Sequence, residues 1–256
     1  MAAPAPPQSL SSAIALELSS MHDLDRLAEQ FKLRRKVHIA ELLNPTAAQA
    51  LYHCLDRQIS WSTQLISQGE VCEAAAIAPG EQRSAESEMR LNQLAYENAQ
   101  HGNVGYIYDV CPLAISDLSI PSEEAIHPNE FLKFINSDTF IRFIRQITGI
   151  ATLAYADAQA TRLRAGHFTT FHYSSGPDKN NSARRLNYVF YLTPEWKAEW
   201  GGLLEFRGEQ GFMVESHVPC FNCFDLFRFP HGHWISMVSP IASGPSYLIS
   251  GGVYID

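Results

Sequence analysis

The spacing of apolar and polar positions divides the chain near residue 150. Before that point most apolar residues recur at helical spacing. "MHDLDRLAEQFKLRRK" places Met21, Leu24, Leu27, Ala28 and Phe31 on one helical face. "NPTAAQALYHCLDRQ" opens on Asn44-Pro45-Thr46, a helix start signal, and keeps the same period. "SAESEMRLNQLAYENAQ" collects Met89, Leu91, Leu94 and Ala95 on one side. "HPNEFLKFINSDTFIRFIRQITG" predicts two helical pieces, the second starting at the Ser137/Asp138 cap and ending near Gly149. Two segments break the helical pattern. "ISWSTQLIS" alternates Ile59, Trp61, Thr63 and Leu65 with polar neighbours, and "GNVGYIYDV" is a second strand candidate.

After residue 150 the period shortens. "TLAYADA", "QATRLRA", "FTTFHYS", "RRLNYVFYL", "GLLEFRG", "GFMVESHVP", "CFDLFRFP", "HWISMVSP" and "SYLISGGVYI" follow one another, separated by Gly, Pro, Asn and Asp. About eight or nine strands of this length predict a double-sheet jelly roll, a double-stranded β-helix. Helices first and strands later predict an α+β class, with the helices packed on one sheet. The expected organisation is a flexible tail over 1–15 and one domain over 16–256. Within that domain 16–150 gives mainly helical support and 151–256 the barrel strands.

Composition narrows the partners. The 256 residues are 46% hydrophobic and carry a net charge of −8, enough for a sizeable core and unfavourable for a nucleic-acid partner. The longest basic run, Arg34-Arg35-Lys36, falls at the end of a predicted helix, where it serves the helix C-terminus. No stretch approaches the roughly 18 apolar residues of a membrane span. The proline-bearing "MAAPAPPQSL" lacks the charged and apolar regions of a signal peptide. Cys54, Cys72, Cys111, Cys220 and Cys223 are odd in number and irregular in spacing, which fits a reducing compartment. Together these features predict a soluble cytoplasmic protein. The C-x-x-C of Cys220 and Cys223 lacks the second pair of a zinc site and is expected to pack in a core.

Ten histidines raise the question of a metal. His22, His38, His53, His101 and His127 fall in predicted helices or loops without acidic partners at ligand spacing. His167 and His217 are expected at the surface or in turns. His172 and His233 differ, because each ends or begins a barrel strand, 61 positions apart. Gly201-Gly202 lacks the strand–glycine–helix setting of a phosphate loop and is expected to be a tight turn.

The order of segments resembles the 2-oxoglutarate/Fe(II)-dependent dioxygenases, in particular the prolyl-4-hydroxylase-like group. The resemblance rests on the turn at Gly166, on His172, and on "YVFYLTPEWKAEWGGLLEF", "FNCFDLFRFP", "HWISMVSP" and "GPSYLISGG". It covers residues 150 to 256 closely and the first half loosely. It implies Fe(II) held by two histidines and one carboxylate, with open positions for 2-oxoglutarate and O₂. His172 and His233 match the histidines. The carboxylate position, two residues after the first histidine and on the same strand face, is Ser174. The arginine that pairs with the distal carboxylate of 2-oxoglutarate corresponds to Ser246.

Both substitutions act against the family chemistry. A neutral hydroxyl is a weaker ligand than a carboxylate, and a buried carboxylate without a cation costs several kcal/mol. Arg162 and Arg164 on one strand, or Arg184 and Arg185 on another, are the basic residues near enough in sequence to stand in; with side chains alternating, one of each pair points inward, Arg164 and Arg184 being the candidates. Two functions follow. One is a protein of hydroxylase ancestry with a degenerate metal and cosubstrate site, acting as a binding or regulatory module. The other is an active oxygenase or halogenase-like enzyme with a two-histidine site and a relocated anchor. The substrate, a small molecule or a peptide, has no motif of its own in the chain.

Overall fold

Local signals set the helices. The computed structural model describes residues 14–113, 126, 128–173, 183–208, 211 and 214–256. Asp23 caps helix α1 (Leu24–Arg34), which stops where Arg35 takes the left-handed conformation at φ 57°. Asn44 caps α2 (Pro45–Arg57), its side-chain oxygen accepting from the Ala47 N–H at 2.8 Å. Ser84 and Ser137 do the same for α3 (Ala85–Gln100) and α5 (Asp138–Thr148), while α4 is Pro128–Ile135. α5 ends on Gly149 at φ 70° and buries Phe140, Ile141, Phe143, Ile144 and Ile147. No described helix is long and apolar enough to cross a membrane.

The strands are β1 (Lys36–Ile39), β2 (Trp61–Ser67), β3 (Glu70–Ile77), β4 (Tyr106–Pro112), β5 (Leu153–Ala156), β6 (Gln159–Leu163) and β7 (Phe168–Thr169). They continue with β8 (His172–Tyr173), β9 (Arg184–Tyr191), β10 (Leu204–Arg207), β11 (Val214–His217), β12 (Cys223–Arg228), β13 (Gly232–Ile235) and β14 (Ser246–Ile255). Among the described residues the larger sheet runs β1-β12-β9-β14-β6-β4-β2-β3, with β5 on β14 and β7 on β4. The smaller sheet runs β11-β10-β13-β8, and the pairings are antiparallel. This is the expected jelly roll, an α+β fold.

Alternation along the central strands sorts two cores. Leu186, Tyr188 and Phe190 of β9 face the helices in the larger core, with Ile249 of β14 and Phe224 and Leu226 of β12. Val189, Tyr191, Leu248, Cys223 and Phe227 face the opposite way, meeting Leu204 and Phe206 of the smaller sheet. The barrel interior is this second, inter-sheet layer.

The structure departs from the sequence expectations in four places. β1 and β3 are strands that were not anticipated. "FTTFHYS" is two short strands, β7 in the larger sheet and β8 in the smaller, so the chain changes sheets just before His172. The basic run does more than close a helix: Arg34 and Lys36 both reach Glu215, at 3.1 and 3.0 Å. Of the C-x-x-C pair only Cys223 is buried, and Cys220 is exposed.

Candidate metal and cosubstrate site

β8 and β13 pair so that His172 stands directly opposite His233. Their ring centroids are 4.6 Å apart, inclined at 51°. His172 donates its Nδ1–H to Thr170 O at 2.9 Å, and His233 donates its Nδ1–H to His231 O at 2.8 Å. A carbonyl only accepts, so each bond fixes the tautomer with the lone pair on Nε2. Burial lowers the pKa of His172, and burial with the charge of His172 pushes His233 down to about 3. Both imidazoles are therefore neutral at physiological pH, the form that binds a metal. Phe227 stands 4.9 Å from the His233 ring and walls off the inner side. On the outer face of the same strands Phe171, Trp234 and Arg207 line a cavity of about 540 Å³.

The other expected site residues are not all brought to this pair. Ser174 lies outside the described residues, as do His127 and most of the expected tail. Ser246 begins β14 two residues before Leu248, so it faces the interior. It is fully buried, and its hydroxyl has no hydrogen-bond partner among the described residues. Arg164 is committed elsewhere: it grips Asp109 with Nε at 2.7 Å and Nη2 at 3.0 Å, and reaches Glu88 at 2.8 Å. Arg162 binds the same carboxylate at 2.8 Å and lies over the Trp61 ring. Arg184 lies between the Phe229 and Tyr254 rings. Its Nε is buried without a partner among the described residues, and its charge is one of those that depress His233.

The residues present fit only part of the family's cofactor set. Two neutral imidazoles suit a ferrous ion. Among the described residues, however, no acidic group is among the influences that shift either imidazole. The cosubstrate fits less well. Where a distal carboxylate needs a cation, Ser246 offers a hydroxyl. The interior also holds a carboxylate of its own, Asp225, 1% exposed and on the same face of β12 as Cys223 and Phe227.

Asp225 belongs to a second histidine group that the sequence did not reveal. His38, assigned to a helix or loop, lies on β1 opposite Asp225 and donates Nδ1–H to its Oδ1 at 2.8 Å. His217, assigned to the surface or a turn, lies on β11 and donates to the same oxygen at 2.9 Å. The Asp225 hydrogen bond raises His38 to about 9. Burial opposes charge on His217, but Asp225 and Glu215 raise its pKa. Burial likewise opposes ionisation of Asp225, and the two imidazoles hold its pKa low. His167 follows the Gly166 turn as expected but is 1% exposed, not at the surface. The available signal was Asp225 itself, one acid in the otherwise apolar run "CFDLF". A carboxylate at such a position demands partners.

A model of the 2OG-Fe(II) oxygenase superfamily matches residues 158–252. No curated protein matches the chain. Among solved structures, a prolyl-4-hydroxylase of Pseudomonas putida superposes with a TM-score of 0.53 at 14% identity, covering 91% of this chain and 99% of its own. An oxidoreductase of the 2OG-Fe(II) oxygenase family from Burkholderia pseudomallei gives 0.54 at 11% identity, with 93% of each chain covered. A prolyl hydroxylase of Trichoplax adhaerens, in complex with a hypoxia inducible factor peptide fragment, gives 0.57 at 13%, covering 91% of this chain and 89% of that one. Residues 158–252 thus match the 2OG-Fe(II) oxygenase superfamily model, and the chain shares its fold with prolyl-4-hydroxylases.

Proposed function

We propose that this protein keeps the oxygenase barrel as a binding or regulatory module and does not run the 2-oxoglutarate-dependent reaction at the His172/His233 pair. The interior at the anchor position carries the proposal. Ser246 is buried, and its hydroxyl has no hydrogen-bond partner among the described residues. A dicarboxylate placed there would meet no guanidinium from Arg162 or Arg164, both held by Asp109. Burying such an unpaired carboxylate costs several kcal/mol. The aromatic cavity beside Phe171, Trp234 and Arg207 is a surface that a binding module would offer to a ligand.

One observation favours the second function, an active oxygenase with a moved anchor. Arg184 has a buried Nε with no partner among the described residues and acts electrostatically on His233. An anaerobic titration with Fe(II) and 2-oxoglutarate separates the two. The wild type is expected to develop no metal-to-oxoacid charge-transfer band at millimolar ligand, and the Ser174→Asp plus Ser246→Arg variant is expected to develop it. A band in the wild type that disappears in Arg184→Ala would overturn the module proposal and identify Arg184 as the anchor.

A further inference from the structure

We propose that His38, His217 and Asp225, with the Cys223 thiol beside them, form a second metal site for a zinc-like divalent transition ion, joining the two sheets at one edge of the barrel. The site is independent of what the His172/His233 pair does. One ligand atom from each of His38, His217 and Asp225 lies within 4.8 Å of the others. The three come from β1, β11 and β12, so the topology assembles the group from both sheets.

The ligand positions are built before any ion arrives. Asp225 is 1% exposed on a strand paired on both sides, by β1 and β9. Its Oδ2 is buried without a partner at hydrogen-bond geometry among the described residues, and the Tyr191 hydroxyl lies beside the same carboxylate. The other oxygen takes both imidazoles, at 2.8 and 2.9 Å. Ligand atoms around a tetrahedral zinc with bonds of ~2.0–2.1 Å stand about 3.3 Å apart, so each of these two nitrogen–oxygen pairs needs to open by only a few tenths of an ångström.

A second carboxylate orients the first shell. Glu215 Oε1 lies 3.0 Å from His217 Nε2 and turns Nδ1 towards Asp225. Lys36 holds the other oxygen of Glu215 at 3.0 Å. A carboxylate behind a ligating imidazole is the usual support of a bound zinc. Cys223 sits two residues before Asp225 on the same strand face, outside the group of three ligand atoms, and its Sγ–H donates to Phe221 O at 3.6 Å. Two imidazoles and a carboxylate suit a borderline ion over Mg²⁺ or Ca²⁺. Three protein donors leave a fourth position, to be filled by the Cys223 thiolate after rotation about χ1.

The test uses the full-length protein, stripped with a chelator and titrated with Zn(II) and Co(II). The His172→Ala/His233→Ala variant is expected to keep one tight equivalent of zinc. His38→Ala and His217→Gln should each weaken that equivalent by at least ~10–100-fold, the loss that removing even a partner behind a ligand costs. In the wild type, zinc should protect His38 and His217 from diethyl pyrocarbonate, read by mass spectrometry. Cobalt should give a thiolate charge-transfer band that Cys223→Ser abolishes. Unchanged diethyl pyrocarbonate labelling with zinc present, or equal zinc affinity in His38→Ala, would overturn the site. Tight cobalt binding without the thiolate band would remove Cys223 from it.

Discussion

Asp109 shows how one side chain limits the chemistry of its neighbours. It is fully buried and accepts from Thr63 Oγ1 at 2.7 Å, from Arg162 Nε at 2.8 Å and from Arg164 Nε at 2.7 Å. Burial pushes its carboxyl up. The Arg164 guanidinium first, then His167 and Arg162, outweigh burial and hold it down at about 2. The folded pKa is depressed, so the stabilisation is present above the ordinary value of 3.8 and is lost only as the pH falls through about 2. Asp109→Asn keeps the shape and removes the charge. It leaves Arg162 without its counter-ion and Arg164 with Glu88 alone, a loss of ~3–5 kcal/mol for a broken buried pair. Urea unfolding at neutral pH measures it; a change below about 1 kcal/mol would mean that the cluster contributes little. The same contacts explain why Arg164, close to the site in sequence, is not a free anchor.

At the level of elements, legibility followed exposure. Strands with one apolar face announced themselves by alternation; His172 and His233 stood out by their places at strand edges and by the family resemblance. β3 did not, because most of "EVCEAAAI" is exposed and its alternation carries no burial signal. β1 has four residues and begins inside a basic run; its partner, β12, lies almost the whole barrel away in sequence. The His38–Asp225 contact spans 187 positions, so a search for ligands at local spacing could not reach it. The Gly201-Gly202 turn was legible, and its geometry makes a prediction. Gly201 has φ 68° and ψ −151°, which only glycine adopts readily. Its N–H bonds to Ala198 O at 3.1 Å and its carbonyl accepts from Trp196 Nε1 at 2.8 Å. A Cβ there would meet Met237 O at 2.0 Å. Gly201→Ala should cost ~3 kcal/mol or more, through strain and displacement of the segment that follows β13. Gly244→Ala, with nothing within 4 Å, is the control and should stay within ~0.5 kcal/mol in thermal melts.

The whole molecule is a barrel with an apolar interior and one ionic edge. Phe206, Phe227, Leu204 and Val189 join the two sheets by burial. Beyond them, His38 and Lys36 of β1 and Asp225 and Cys223 of β12 face His217 and Glu215 of β11, with Tyr191 of β9 behind and His231 alongside. In metal-free protein this edge is held by two imidazolium groups on one carboxylate, so it depends on pH. The folded pKa of His38 is raised to about 9, and that of His217 is raised too. A raised imidazole stabilises fully below its ordinary 6.5 and loses that contribution as the pH climbs through the folded value. Chelator-treated protein should therefore lose stability between about pH 6.5 and pH 9. The side chain of His38 is 39% exposed, so solvent screening reduces its share to about 1–2 kcal/mol. The acid limb has the opposite sign, because Asp225 is depressed and its contribution fades only below the carboxylate range. Urea midpoints across this range, for wild type and for His38→Gln, isolate the effect. The variant should be less stable at pH 6 and converge on the wild type near pH 9. A constant gap between the two curves would mean that His38 holds β1 to β12 by packing alone and carries no proton to Asp225.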